Sequence, residues 1–192
     1  VLEIGPGAGF YSRLICEFPS VESYTAIDIN KSFLNYLSPR LEKLKKRKKI
    51  SYRLICNNFK DIEFDDKYDM IILLSAVHHI PDRVELFEAL PPQLKDDGII
   101  FCFDPSHYLF RIITLTLKCI TNGYLRKKFY SEQTNLSTHH MCSEGEYKKV
   151  CSKTSLRLES VHYKVPRKLS VFRNTLLRSW FSTEIGIVAR KL

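Results

Sequence analysis

No stretch of this sequence is apolar over the length needed to cross a bilayer, and its start lacks the pattern of a secretory leader, so a soluble protein of the cytoplasm is expected. Glycine and proline are sparse, at 7 and 8 residues, which excludes collagen-like and low-complexity classes; internal repeats are also missing. The six cysteines, Cys16, Cys56, Cys102, Cys119, Cys142 and Cys151, contain no C-x-x-C pair and no zinc spacing with histidine. No metal is expected, and the thiols are read as reduced. Position 1 is valine and already belongs to an expected strand, so the chain is read as one domain, 1–192, that lacks an N-terminal segment. A length of 192 residues and a hydrophobic content of 44% suit a single domain with a substantial core.

The sequence is organised around its opening, Val1 to Phe10. An apolar run enters three glycines at alternate positions, Gly5, Gly7 and Gly9, and an apolar, helix-compatible stretch from Tyr11 to Phe18 follows. This reads as strand, tight turn, helix. Glycine permits unusual φ values and lets a ligand lie against bare backbone, while the helix start offers free N–H donors. The dinucleotide fingerprint needs its third glycine one position later, where Phe10 stands. The spacing G-x-G-x-G, with Glu3 in the preceding strand, resembles motif I of the class I methyltransferases that use S-adenosylmethionine. The resemblance implies that Gly5, Gly7 and Gly9 hold the methionine part of this cofactor and that Glu3 helps orient it.

Ser23 to Asn30 reads as a second buried strand ending in an acid about twenty residues beyond the loop, where nucleotide folds place a carboxylate for ribose hydroxyls. Asp28 is therefore assigned to the ribose, with a helix cap as its competing role. Lys31 to Lys49 has helical spacing, and Pro39 is expected to kink or divide it. Ile50 to Cys56 is a third strand, followed by Asn58 where the family pattern has an acid that reads adenine; an amide still accepts through its oxygen and donates through its NH2. Ile29, Phe59 and Ser75 complete the implied cofactor-binding set.

Met70 to Asp82 is an apolar run that ends in Ser75, His78 and His79, as a central parallel strand buried on both faces requires. It resembles the fourth-strand region of small-molecule methyltransferases, and it lacks the Asp/Asn-Pro-Pro-aromatic motif of enzymes that methylate DNA amines. Arg83 to Lys95 should be helical until Pro91-Pro92, Asp96-Asp97-Gly98 should turn, and Ile99 to Pro105 should be the fifth strand. Residues 106–147 interrupt the alternation and are read as a substrate lid, with an extra core helix as the competing reading; the apolar face and the basic cluster, Arg126 to Lys128, would also suit contact with a membrane surface. Ser143 and Glu146 form a candidate capping box. Leu156 to Val165 and Glu184 to Arg190 resemble the closing hairpin of the family.

The expected fold is α/β, Rossmann-like and doubly wound: a mostly parallel seven-stranded sheet with a C-terminal antiparallel hairpin. The expected activity is methyl transfer from S-adenosylmethionine to a small-molecule or lipid-like acceptor, with His78, His79 and His107 as candidate bases; for His78 and His79 a packed structural role is read ahead of the catalytic one, and a substrate ligand is the third reading. Two alternatives are an RNA methyltransferase or RNA-binding module and an inactive cofactor-binding regulator. The net charge of +9 is partly local, in the run Arg40 to Lys49. That run reads first as a solvated helix end and second as a patch for nucleic acid or anionic lipid; nucleic acid is not an expected partner. The acceptor atom and the oligomeric state are not set by the sequence.

Overall fold

A computed structural model describes residues 1–62, 64, 66–106, 142–165, 167, 170, 173–175 and 182–192. Seven strands form one sheet: β1 (Leu2–Ile4), β2 (Ser23–Asp28), β3 (Ser51–Cys56), β4 (Tyr68–Leu74), β5 (Leu94–Pro105), β6 (Leu156–Lys164) and β7 (Glu184–Lys191). Their spatial order is β3-β2-β1-β4-β5-β7-β6. Pairings among β1 to β5 are parallel, and β7 lies antiparallel between β5 and β6, so the expected architecture holds.

Helices α1 (Phe10–Glu17) and α2 (Lys31–Arg47) cover one face of the sheet, packing Cys16, Leu37, Leu41 and Leu44 on Tyr24 and Ala26 of β2. Helices α3 (Arg83–Ala89) and α4 (Glu144–Cys151) contribute Leu86, Phe87, Tyr147 and Val150 to the second core, against Leu2, Ile4, Ile71 and Leu73. The period of two in a strand decides which residue goes where. Leu2 and Ile4 enter the second core, so Glu3 between them points to the side of α1. Tyr24 and Ala26 face α2, and Asp28, two residues on, emerges at the carboxyl end of β2.

Three local expectations are corrected. Pro39 does not divide its helix: α2 runs unbroken for 17 residues, because Pro39 and Asn35, whose carbonyl loses its partner, are both exposed and Leu34, Leu37, Leu41 and Leu44 hold the opposite face in the core. The cap of α2 is Asn30, whose side chain accepts from the Ser32 N–H at 2.9 Å, and not Asp28. Asp96-Asp97-Gly98 lies inside β5 instead of preceding it: Tyr68 pairs with Leu94 and Met70 with Ile99, so four residues of β5 bulge out opposite one of β4. The break at Pro91-Pro92 occurs as expected, as a short 3-10 turn. The Ser143–Glu146 capping box forms with both of its reciprocal bonds. The lid reading, His107, and the cluster Arg126 to Lys128 fall on 107–141, outside the described residues. Ser106 and Cys142, on either side of that stretch, are joined by a β-bridge.

Candidate active site

The strand order reverses between β1 and β4, and in open α/β sheets the carboxyl ends at such a switch point form a crevice. A cavity of about 590 Å³ lies there. Its floor is the turn after β1. Gly5, Gly7 and Gly9 all have positive φ, at 70°, 53° and 74°, a region that costs other residues about 1–2 kcal/mol. The Gly5 N–H donates to the Ile27 carbonyl at 2.8 Å, and a Cβ on Gly5 would stand 3.0 Å from that of Ala76. A Cβ on Gly7 would meet nothing within 4 Å, so this residue leaves open space above the turn.

Asp28 ties the turn to β2. Its carboxylate accepts from the Gly7 N–H at 3.1 Å and from the Asn30 N–H at 2.8 Å. Asn58 at the end of β3 caps a 3-10 turn, accepting from the Lys60 N–H at 3.2 Å, which fixes its amide at the cavity wall. Ser75, at the end of β4, is the one described non-glycine residue with positive φ, at 55°, and its N–H donates to the Phe103 carbonyl at 2.7 Å.

Seven of the nine cofactor-binding candidates therefore line one cavity: Gly5, Gly7, Asp28, Ile29, Asn58, Phe59 and Ser75. Glu3 and Gly9 do not. Gly9 is the residue before α1, and a Cβ there would lie 2.5 Å from Leu37 Cδ1; its smallness serves the contact of α1 with α2. Gly9→Ala should cost about 2–4 kcal/mol through the left-handed backbone and repacking of buried Leu37, measured as a lower denaturant midpoint at unchanged slope.

Glu3 is buried under α1, where Oε2 accepts from Ser12 Oγ at 2.7 Å and from the Tyr24 hydroxyl. Burial holds its carboxyl above the usual carboxylate range, and the two hydroxyls oppose that only in part. Folding thus raises the pKa. Stability from this group is full below the carboxyl's unfolded range and is lost as pH rises through its folded value. Glu3→Gln keeps an oxygen for both hydroxyls and removes the charge, so it should unfold no more easily than the parent at neutral pH and flatten this part of the pH profile. A thermal midpoint several degrees lower at neutral pH would refute that account.

The histidines divide. His79 lines the cavity, and His78 stands behind it with ring centroids 4.0 Å apart. His78 is held by Asp104 at the end of β5: Nδ1 to Oδ1 is 2.7 Å, and the His78 backbone N–H donates to the same oxygen at 3.2 Å. Tyr147 of α4 donates to the other carboxylate oxygen at 3.4 Å. A carboxylate at Nδ1 selects the ring form that keeps its proton there. Asp104 escaped the sequence reading, although its place at the carboxyl end of a central strand was a usable signal. Burial pushes the Cys16 and Cys142 thiols up to about 12, which removes both as nucleophiles near neutral pH.

This geometry fits the cofactor implied by the opening turn: bare backbone for an amino-acid tail, a carboxylate for a sugar, and Ile29 and Phe59 beside Asn58 for a base. A family model described as a methyltransferase domain matches residues 2–102. A malonyl-[acyl-carrier protein] O-methyltransferase of Acetivibrio thermocellus is 22% identical over 171 residues, covering 89% of this chain and 56% of the relative. A ubiquinone biosynthesis O-methyltransferase of Pseudomonas aeruginosa is 28% identical over 117 residues, 59% of this chain and 49% of the relative. The chain thus spans about half the length of the curated relatives it matches. Among solved structures, the magnesium protoporphyrin IX methyltransferase of Synechocystis, with bound S-adenosylhomocysteine, superposes with a TM-score of 0.70 at 10% identity, over 100% of this chain and 73% of that one. An S-adenosylmethionine-dependent methyltransferase of Clostridium acetobutylicum gives 0.67 at 13% identity, over 99% and 82%. With the glycine turn, the carboxylate of β2 and the strand order in agreement with a match over more than half of its length, the chain belongs to the methyltransferase domain family.

Proposed function

We propose that this chain transfers a methyl group from S-adenosylmethionine to an oxygen of a small-molecule or lipid-like acceptor. The observation that carries the reading is Asp28, which lines the cavity and whose carboxylate accepts one backbone N–H from the glycine turn and one from Asn30. The relatives named above as O-methyltransferases support oxygen as the acceptor atom. When bound, the cofactor supplies a methyl group already activated on a sulfonium.

The protein's share is alignment and exclusion of water, and alignment alone is worth about 7–11 kcal/mol when geometry is good. Gly5 and Gly7 would take the amino-acid tail, Asp28 the ribose hydroxyls, and Asn58, Ile29 and Phe59 the adenine. Ser75 and His79 form the wall toward the acceptor. His79 would take a proton from an acceptor hydroxyl, its ring packed at a tilt of 41° against that of His78, which Asp104 holds. The reading places the protein in the reducing cytoplasm, supported by the five described cysteines, all free thiols. No helix among the described residues is long and apolar enough to cross a membrane.

The test is calorimetric titration with S-adenosylmethionine, followed by mass spectrometry for S-adenosylhomocysteine in the presence of carboxylic-acid, phenol and quinol acceptors. Acceptor-dependent formation of S-adenosylhomocysteine is expected. Folded protein that ignores the cofactor at millimolar concentration overturns the reading.

A further inference from the structure

The peptide unit that joins Ala8 to Gly9 is held at both of its polar groups. Its N–H, on Gly9, donates to the Pro6 carbonyl at 3.0 Å, and its oxygen, on Ala8, accepts from Arg40 Nη1 of α2 at 3.0 Å. Just before it, the Gly7 N–H donates to Asp28 at 3.1 Å. These bonds matter because Gly7 and Gly9, both at positive φ, impose little steric preference of their own, so a peptide joined to them turns cheaply unless something fixes it. Arg40 is in turn placed by its own helix. Its guanidinium carbon lies 4.0 Å from the centroid of the Tyr36 ring, one helical turn back, and Leu37 of the same turn is buried against Gly9. In a run read from sequence first as a solvated helix end, this residue reaches instead to the glycine turn, 32 positions away.

We propose that Arg40 is a positioning residue for cofactor binding: it fixes the Ala8–Gly9 peptide, and with it the shape in which the glycine turn receives the amino-acid tail of S-adenosylmethionine. The inference rests on the cofactor reading above and adds a clamp from α2 to the one that Asp28 makes from β2. Asp28 holds an N–H and Arg40 holds a carbonyl, so two side chains of opposite charge grip two backbone groups of opposite polarity. A guanidinium suits this task better than an ammonium, because its plane stacks on the Tyr36 ring while one N–H donates in a fixed direction. A turn already in its bound shape spares the ligand the cost of ordering it. The gain therefore appears in affinity for the part of the ligand that lies on the turn, and not for the nucleoside.

The test titrates the parent, Arg40→Ala and Arg40→Lys calorimetrically with S-adenosylhomocysteine, which carries the amino-acid tail, and with methylthioadenosine, which lacks it. Arg40→Ala should bind S-adenosylhomocysteine about three- to tenfold more weakly than the parent and methylthioadenosine within about twofold of it. Arg40→Lys keeps the charge without the planar fork, so it should recover less than half of the loss. In the protein without ligand, hydrogen exchange followed by NMR should show the Gly9 amide of Arg40→Ala exchanging at least about threefold faster, while the amides of β2 and β4 keep their protection. Parental affinity for S-adenosylhomocysteine in a folded alanine variant, equal weakening of both ligands, full recovery by lysine, or an unchanged Gly9 exchange rate would overturn the proposal. A parent that binds neither ligand would remove the cofactor reading and the role of Arg40 in binding with it, and the exchange rate would then still decide whether Arg40 fixes the peptide.

Discussion

Asp28→Ala should weaken S-adenosylmethionine binding between about tenfold and a hundredfold, because hydrogen bonds to a charged group are worth about 1.5–3 kcal/mol. The effect has two origins. The ribose would lose its acceptor, and the Gly7 N–H would lose the 3.1 Å bond that holds the turn in shape before any ligand arrives. Asp28→Asn separates them, since an amide oxygen still accepts from backbone but brings no charge to the sugar; its affinity should fall between those of the parent and the alanine variant. Calorimetry on a folded Asp28→Ala protein with parental affinity would remove this residue from the site.

Asp104→Ala should be the most destabilising single truncation near the cavity. Asp104 is fully buried and satisfies the His78 ring, the His78 backbone N–H and the Tyr147 hydroxyl. Removing one partner of such a buried network costs about 3–5 kcal/mol, which for a chain of this size lowers the melting temperature by roughly 10 °C. Asp104→Asn retains an oxygen for His78 and should cost less than half as much. Scanning calorimetry that finds the alanine variant as stable as the parent would show that these bonds add nothing to the fold.

Much of this was legible in the sequence because a few elements announce themselves locally. The glycine turn after a strand and the doubly buried run into Ser75 each follow from near neighbours, Asp28 follows from its strand and its spacing of about twenty residues from the turn, and alternation then sets a parallel sheet. What was illegible depends on partners distant in the chain. The contact that a side chain at Gly9 would make was hidden because Leu37 is a helix away. The partners of Glu3 were hidden because nothing in β1 reveals that the Ser12 and Tyr24 hydroxyls donate to its carboxylate. Pro39 looked like a break because local chemistry does not say that its face of α2 is exposed. Asp104 and His78 are 26 residues apart, and only the closing of β5 on β4 makes them a pair.

The placement of β7 has a consequence for how the protein is made. β6 leaves the ribosome first, yet its seat in the sheet is beside β7, and β5 too waits for β7 along that edge. During translation both strands present unpaired backbone until residues 184–191 arrive, so a nascent chain stalled just short of them has its hydrogen-bonding edge open to other chains.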